Sequence, residues 1–421
     1  MPFNLPRGVR DYGPSEAIAL HETISVVEEI FKRFGFYPIM TPALESIETL
    51  NSKVYGEEST KEIFLLQDGE SGLRFDLTVP LARFVAGRKD LPLPFKRYQI
   101  DRAWRKDEPQ HMRFREFIQA DIDIIGASET KSDAEVIAAT AKALEALGID
   151  YTIFINHRVL LSSILDFFKI PASKHPTVMR ILDKMAKIQH EELISQMASA
   201  GIALRLAEDL FMFLTEKKTN SDLLGKISGS LGGETPELRA ISELLEILMQ
   251  YGLRGKIEID LSLARGLDYY TGFIYEFVSF HEGKRLPTIA SGGRYDNLIG
   301  AFSKASLPAV GCSVGISRVV DLINSGSRKT AANIFVAYIA EEDFPYALEV
   351  ANSLRESGKY VDMNLHKRSI SKQLEYVNAL GIKYVAIIGK IEREAGKVKL
   401  RNMLSGEEEL VAVADINKKV R

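Results

Sequence analysis

At 421 residues the chain is too long for one ordinary hydrophobic core, so two or three domains are expected. Hydrophobic residues at 46%, a formal net charge of −3 and a pI near 6.2 exclude a globally basic coat for long nucleic acid, while leaving room for a local basic groove. The one cysteine, Cys312, excludes an internal disulfide framework and fits a reducing cytoplasm; the opening Met1–Gly8 has no apolar h-region and no apolar run suggests a membrane span.

Apolar residues recur at helical spacing from Ser15 to about Arg33, and Gly35 ends the pattern. Phe36–Ile39 reads as a strand stopped by Pro42. Alternating runs at Glu62–Gln67 and Leu73–Thr78 precede a helix over Val79–Ala86. Phe95–Arg105 and Arg113–Ile125 then read as two strands flanking a charged stretch, Lys106–Met112, the pattern of an antiparallel hairpin with a long loop. A helix over Ser132–Leu147 follows. From about 171 to 250 the pattern is almost wholly helical (Val178–Lys187, Glu191–Ala200, Leu204–Phe213, Glu237–Met249), broken at Ser228–Gly233, and reads as a helical insertion in a β-rich domain. Strands resume at Lys256–Leu261, Phe273–Phe280 and Thr288–Ser291, and a helix runs from near Val314 to Ile323. Asn324–Lys329 reads as a linker. Beyond it, strands at Ile334–Ile339, Val361–Leu365 and Tyr384–Ile388 alternate with helices near Pro345–Glu356 and Ser371–Leu380. That order predicts a small α/β domain with a mostly parallel sheet. Residues 333–421 carry 14 Lys and Arg against 13 Asp and Glu, so charge alone announces no RNA surface there.

The densest polar cluster lies in strand context, Arg113-Phe-Arg-Glu-Phe-Ile-Gln-Ala-Asp-Ile-Asp123. Alternation puts Arg115, Phe117, Gln119, Asp121 and Asp123 on one face, with Phe114, Ile118, Ile122 and Ile124 on the other. A sheet face of cation, aromatic, amide and two carboxylates is costly as packing and sensible as a ligand floor; the plain alternative is a solvated face with paired charges. In the preceding strand Arg97, Gln99, Asp101, Ala103 and Arg105 share a face, which brings Arg105 to the mouth of the charged loop, and a planar guanidinium suits bidentate phosphate contact. Two further clusters combine glycines with tyrosine and arginine: Arg265-Gly-Leu-Asp-Tyr-Tyr-Thr-Gly272 and Ala290-Ser-Gly-Gly-Arg-Tyr-Asp296. Glycines there permit backbone shapes or close approaches barred to other residues.

Arg265–Gly272 and Ser291–Asp296 resemble the two signature motifs of histidyl-tRNA synthetases. Gly35–Pro42, Tyr98–Gly126 and Gly311–Arg318 are similar to motifs 1, 2 and 3 of class II aminoacyl-tRNA synthetases, in order along the chain. The resemblance implies an α+β fold: a class II antiparallel-sheet catalytic domain over residues 1–325, with the helical insertion at about 171–250, and an α/β anticodon-binding domain over 330–421. It implies a cytoplasmic, ATP-dependent ligase for L-histidine and histidine tRNA. ATP would arrive with Mg²⁺, no prosthetic group or protein-only metal site is expected, and a homodimer is implied through Pro42 of motif 1.

By the same resemblance Phe117 and Arg318 would sandwich adenine, and Arg105 with Arg265 would hold the α-phosphate as the catalytic pair. Asp76, Thr78 and Gln119 would bind the α-ammonium group of histidine, and Tyr269, Tyr270, Tyr295 and Asp123 would line the imidazole pocket, with Arg265 also near histidine. Whether Asp121 or Asp123 reaches the imidazole stays open, because many family members have a glutamate at the latter position. Gln110 matches a position that helps read the extra 5′ guanosine of histidine tRNA. Ser317 stands where an acidic residue often precedes the motif 3 arginine. Two rival readings are a regulatory, synthetase-like subunit of ATP phosphoribosyltransferase and an RNA-binding or signalling module; the former typically lacks the C-terminal domain, and each would lose catalytic arginines that this sequence retains.

Overall fold

The computed structural model describes residues 4–51, 62–185, 188–264, 269–303, 306–323 and 328–420. The chain divides into two compact units, residues 1–10 with 23–323 and residues 11–22 with 324–421.

The larger unit is built on an eight-stranded sheet in the order Tyr37–Pro38, Phe95–Trp104, Glu116–Ile125, Ala309–Gly315, Ala290–Arg294, Phe273–Val278, Thr152–His157, Ile257–Ile259. Neighbours are antiparallel except the outermost pair at each edge, which is parallel. The helix Thr130–Ala146 packs against the strand Ala309–Gly315 and the helix Pro236–Gln250. Its alanines 134, 138, 139, 141 and 143 are fully buried; small side chains let backbone and sheet approach closely, and close packing gains dispersion contacts. Ile122 and Ile124 supply apolar side chains from the sheet, leaving the opposite face of that strand for polar residues.

The expected hairpin is present, but its second strand begins at Glu116 rather than Arg113. Gln110 and Arg113 exchange backbone hydrogen bonds of 3.1 and 2.9 Å, closing a turn at the loop tip. Arg115 donates from its amide to the Gly8 carbonyl and from Nε to the Asp107 carbonyl at 2.9 Å, so it braces the loop and does not join the floor formed by Phe117, Gln119, Asp121 and Asp123. The alternating run at Leu73–Thr78 also ends early, since the strand covers only Ser71–Leu73. Arg74 is pulled inward, donating to the carbonyls of Arg102 at 2.8 Å and Thr41 at 2.7 Å, and the Asp76 carboxylate accepts the Val79 amide at 3.0 Å, which starts the helix Thr78–Ala86.

Three other elements differ from their sequence patterns. Ala309–Gly315 is a strand, and the helix expected near Val314 starts after it, at Ile316. Its small residues have weak strand propensity but fit a crowded centre of the sheet. A helix over Asn220–Leu231 runs through the expected break at Ser228; Thr219 caps its start and Gly232, at φ 80°, terminates it. The strand Thr152–His157 and the helix Arg158–Phe167 lie between expected elements.

The smaller unit has a five-stranded sheet, Val361–Met363, Ile334–Tyr338, Tyr384–Ile388, Lys397–Asn402, Glu408–Ala412. The first three are parallel, as patterned, and the last two add antiparallel hairpin pairing. Ile334, Val336 and Tyr338 face one apolar cluster and Phe335 and Ala337 another; burial on both faces explains the unbroken apolar run of that strand.

Candidate active site

Strand register turns the middle of the large sheet into a grid. Arg97, Asp123, Gly311 and Gly293 form one cross-strand row, Gln99, Asp121, Ser313 and Ser291 the next, and Asp101, Gln119 and Gly315 a third. Directly opposed residues share a face, so these rows make one polar surface. A Cβ on Gly311 would lie 1.8 Å from Asp123 Oδ1, so a glycine is required for the carboxylate to lie where it does.

Above this surface is a cavity of about 1080 Å³. Phe117, Gln119, Asp121 and Asp123 supply its floor, Asp76 and Thr78 one wall, and Tyr269, Tyr270 and Tyr295 another. The tyrosines are buried and packed ring to ring, with Tyr269 centred 4.6 Å from Tyr270 and 5.8 Å, edge on, from Tyr295. Three interlocked rings make a slot with a stiff aromatic wall and polar tips.

The slot ends in a buried charge cluster. Asp123 Oδ2 lies 2.7 Å from Arg97 Nη2, and its Oδ1 accepts a hydrogen bond from the Tyr295 hydroxyl. Burial raises the affinity of Asp123 for a proton, opposed by the Arg97 charge and the Tyr295 hydroxyl. Asp121 is pushed up to about 7, by burial first; Arg97 pulls it back, and Asp123 and Asp76 add repulsion. Burial, then the neighbouring Asp123, hold the Tyr295 phenol well above its ordinary value, so it stays a donor. Gln119 donates to the Ser313 hydroxyl. Asp121 Oδ1 and Gln119 Oε1 are buried and meet no donor among the described residues. Buried acceptors of that kind are offered to a ligand that donates.

The mouth is cationic and aromatic. The Arg105 guanidinium lies 5.1 Å from the Phe117 ring centroid, and its Nε donates to the Phe75 carbonyl at 2.9 Å. Arg318 donates to the Thr288 carbonyl at 2.7 Å and the Met112 carbonyl at 3.1 Å. Glu62 binds its proton more tightly than usual, through burial and then the adjacent Asp107, which is itself paired with Arg113 at 2.6 Å. Gln110, on the hairpin loop, and Arg180, on the helix His175–Leu182, also line the cavity.

The residues singled out from sequence thus converge: Asp76, Thr78, Arg105, Gln110, Phe117, Gln119, Asp123, Tyr269, Tyr270, Tyr295 and Arg318 all line one cavity. Arg265 lies outside the described residues. Pro42 is exposed and is not among the residues lining the cavity. Sequence reasoning assigned no individual role to Gly311 and Ser313 of the motif 3 run, to Glu62 or to Arg97. The signal for Arg97 was its shared face with Arg105; what was missing was the register that sets it opposite Asp123.

A family profile described as histidyl-tRNA synthetase matches residues 8–319, and one described as an anticodon binding domain matches residues 333–421. The chain is 36% identical over 426 residues to the histidine–tRNA ligase of Aeropyrum pernix, covering 99% of this chain and 97% of that protein. It is 38% identical to the histidine–tRNA ligase of Nanoarchaeum equitans, over 98% of this chain and 97% of the relative. Among solved structures, the histidyl-tRNA synthetase of a Nostoc species is similar at a TM-score of 0.88 and 30% identity, covering 100% of this chain and 99% of that one.

Proposed function

The chain belongs to the histidyl-tRNA synthetase family, and on that premise we propose that its large cavity runs both half-reactions of a histidine–tRNA ligase. The protein is an ATP-dependent ligase that activates histidine as its adenylate, releasing pyrophosphate, and then esterifies the amino acid to its tRNA. One observation carries the assignment of residues: the acid-ended tyrosine slot and the Arg105–Phe117 pair open into the same cavity of about 1080 Å³.

Histidine enters ring first. Its imidazole lies between Tyr269, Tyr270 and Tyr295 and donates a ring N–H to Asp123, while its ammonium group meets Asp76, Thr78 and Gln119. Asp121, the neighbouring acceptor, faces the same ligand. A slot built to hydrogen-bond a ring N–H rejects isosteric rings strongly, because the lookalike leaves buried polar groups unpaired. Adenine stacks on Phe117 with Arg318 over its other face. The histidine carboxylate attacks the α-phosphorus, the bond to pyrophosphate breaks, and Arg105 with Arg265 stabilises the charge that develops on the phosphoryl oxygens. Alignment and fixed charge do the catalysis, and no protein nucleophile is used. Mg²⁺ arrives on the outer phosphates of ATP as part of that substrate.

The tRNA ribose hydroxyl, by family analogy the 3′-OH, then attacks the adenylate carbonyl; the ester forms, the bond to the phosphate breaks, AMP leaves and the hydroxyl proton is released. Gln110, at the tip of the loop between the two long strands, is suited to a base edge of the acceptor end. We assign residues 1–325 as the catalytic domain, about 171–250 as its helical insertion, and 330–421 as the anticodon reader. A homodimer formed through the Pro42 segment and residence in the cytoplasm complete the reading. Among the described residues no helix is long and apolar enough to cross a membrane. A profile match spanning residues 333–421 favours this reading over the regulatory paralogue that typically lacks such a domain.

The test is ATP–pyrophosphate exchange with each of the twenty amino acids, followed by charging of purified histidine tRNA. Histidine alone should support exchange. Exchange with no amino acid, or equal exchange with several, defeats the assignment. Arg265→Ala should lose adenylate formation far more than histidine binding, and unchanged exchange in that variant removes Arg265 from the chemistry.

A further inference from the structure

Two arginines of the large unit are almost completely buried, and they are held in different ways. Arg74 is caged: Nε donates to the Arg102 carbonyl at 2.8 Å, Nη1 to the Thr41 carbonyl at 2.7 Å, and Nη2 pairs with Asp101 at 2.7 Å. Each nitrogen is used, as expected of an arginine that ties segments together. Arg97, with no exposed side-chain area, is held by much less. Its Nη2 lies 2.7 Å from Asp123 and 3.3 Å from the Leu77 carbonyl, while Nε and Nη1 meet no acceptor among the described residues.

A buried guanidinium with two idle nitrogens is expensive unless its charge is required nearby. Asp76, Asp121 and Asp123 converge on the end of the tyrosine slot. They repel one another, with Asp76 acting on both of the others and Asp123 on Asp121, and Arg97 is the cation that offsets the two on the strand. The groups facing Asp123 are therefore Arg97 from the neighbouring strand, Asp121 from its own, Asp76 from the wall, and the Tyr295 hydroxyl from above. Without Arg97 the cluster keeps its carboxyls and loses its counter-charge. Asp123 would then take up a proton and change from acceptor to donor.

We propose that Arg97 is a positioning residue for histidine selection: from the strand beside the slot it keeps the Asp123 carboxylate ionised and aimed at the imidazole, without touching the substrate. The proposal rests on the reading that this slot takes the imidazole ring. The cross-strand register supports it, because Arg97 and Asp123 are directly opposed and Gly311 clears the far side, so the carboxylate is held between one cation, Arg97, and the neutral Tyr295 hydroxyl.

The test uses the full chain and ATP–pyrophosphate exchange between about pH 5.5 and 9, with the histidine and ATP KM values measured separately. Arg97→Met is expected to raise the histidine KM about 10–100-fold, the cost of an unmatched buried polar group, with ATP KM within about twofold. It should also add an acid limb: histidine affinity improves as pH rises and Asp123 ionises unaided. Arg97→Lys, which keeps the charge, should recover most of the affinity and abolish that limb. If Arg97→Met does not fold, Arg97→Gln, which keeps hydrogen-bond donors and removes the charge, replaces it with the same two expectations, a raised histidine KM and an acid limb that Arg97→Lys lacks. Equal losses of kcat, ATP affinity and histidine affinity, with no new acid limb and no recovery by lysine, reduce Arg97 to a structural role and overturn the proposal. Asp123→Asn separates the two failures. An unchanged histidine KM in Asp123→Asn defeats the slot assignment itself, whereas a damaged Asp123→Asn beside unaffected Arg97 variants defeats the Arg97 proposal alone.

Discussion

Arg105 and Phe117 form a cation–π pair at the cavity mouth, guanidinium carbon 5.1 Å from the ring centroid, in which the arginine is also tied by Nε to the Phe75 carbonyl. The tether leaves the rest of the fork directed by the aromatic ring and preorganised before any anion arrives. If Arg105 stabilises charge on the α-phosphoryl group, Arg105→Ala should lower kcat for pyrophosphate exchange by about 10²–10³-fold and leave the histidine KM nearly unchanged. Phe117→Ala should act mainly on the ATP KM, by about tenfold, through lost stacking. Steady-state exchange kinetics with each substrate varied in turn separate the two. An Arg105→Ala enzyme with wild-type kcat removes the phosphate role.

Gly311 leads to a steric prediction. Its missing side chain is the space that Asp123 Oδ1 occupies, and an added Cβ would also approach the Ile122 carbonyl at 2.9 Å. Neither neighbour is a flexible chain end, since Asp123 is pinned by Arg97 and Tyr295. Gly311→Ala should therefore cost about 1–3 kcal/mol in overpacking and abolish histidine-dependent exchange in the folded fraction. Gly300→Ala, where the nearest atom is Ser306 Cβ at 3.5 Å, is the control and should be mild on both counts. Chemical denaturation and exchange assays on the pair test this; an active Gly311→Ala enzyme would mean that Asp123 lies elsewhere.

Asp121 makes stability depend on pH. Its folded value is raised to about 7 from an ordinary 3.8, mainly by burial. The folded state thus binds this proton more tightly than the unfolded chain does. The associated stability is fully present below the unfolded value and is lost as pH rises through about 7. Asp121→Asn keeps the shape and removes the titration. Its Tm should exceed that of the wild type by a few degrees at pH 8 and match it near pH 4. Equal Tm differences at both values would show that the charge of Asp121 plays no part.

The cavity floor was legible in the sequence because alternation is a local property: Phe117, Gln119, Asp121 and Asp123 need only a strand to share a face. The helical insertion and the small α/β unit were legible for the same reason, through the switch from strand to helical periodicity and back, while the fold of the larger unit followed from the motif resemblance. Register was harder. A loop confined to Lys106–Met112 would pair Arg105 with Arg113 and set Arg97 opposite Asp121. The observed turn at Gln110–Arg113 and the departure of Arg115 toward Asp107 move the pairing, so that Trp104 opposes Glu116 and Arg97 opposes Asp123. A shift of two residues keeps every side chain on its face yet changes which acid has the counter-charge. Ala309–Gly315 was hidden for another reason: its glycines and serine fit contacts with other strands and contribute little to a local strand pattern.

Arg294, inside the Ser291–Asp296 motif, yields a prediction of a different kind, because its side chain turns away from chemistry. It makes a buried ion pair with Asp133 and a buried hydrogen bond to the Ser132 hydroxyl at 2.9 Å, and donates to the part-buried Ala127 carbonyl at 3.0 Å. Asp133 is raised to about 6 by burial, with Arg294 pulling the other way, so losing the arginine would strand an acid that prefers to be neutral. Breaking a buried pair from one side typically costs about 3–5 kcal/mol. Arg294→Met should therefore lower the denaturation midpoint sharply at pH 8 and less so at pH 5, where Asp133 can accept a proton. Replacing both partners, Arg294→Met with Asp133→Leu, should restore much of the loss, since paired apolar side chains fill the site without an orphaned charge. The histidine and ATP KM values of the folded fraction should move little in either variant. A large rise in one KM with an unchanged midpoint would instead tie Arg294 to the cavity that its motif neighbour Tyr295 lines.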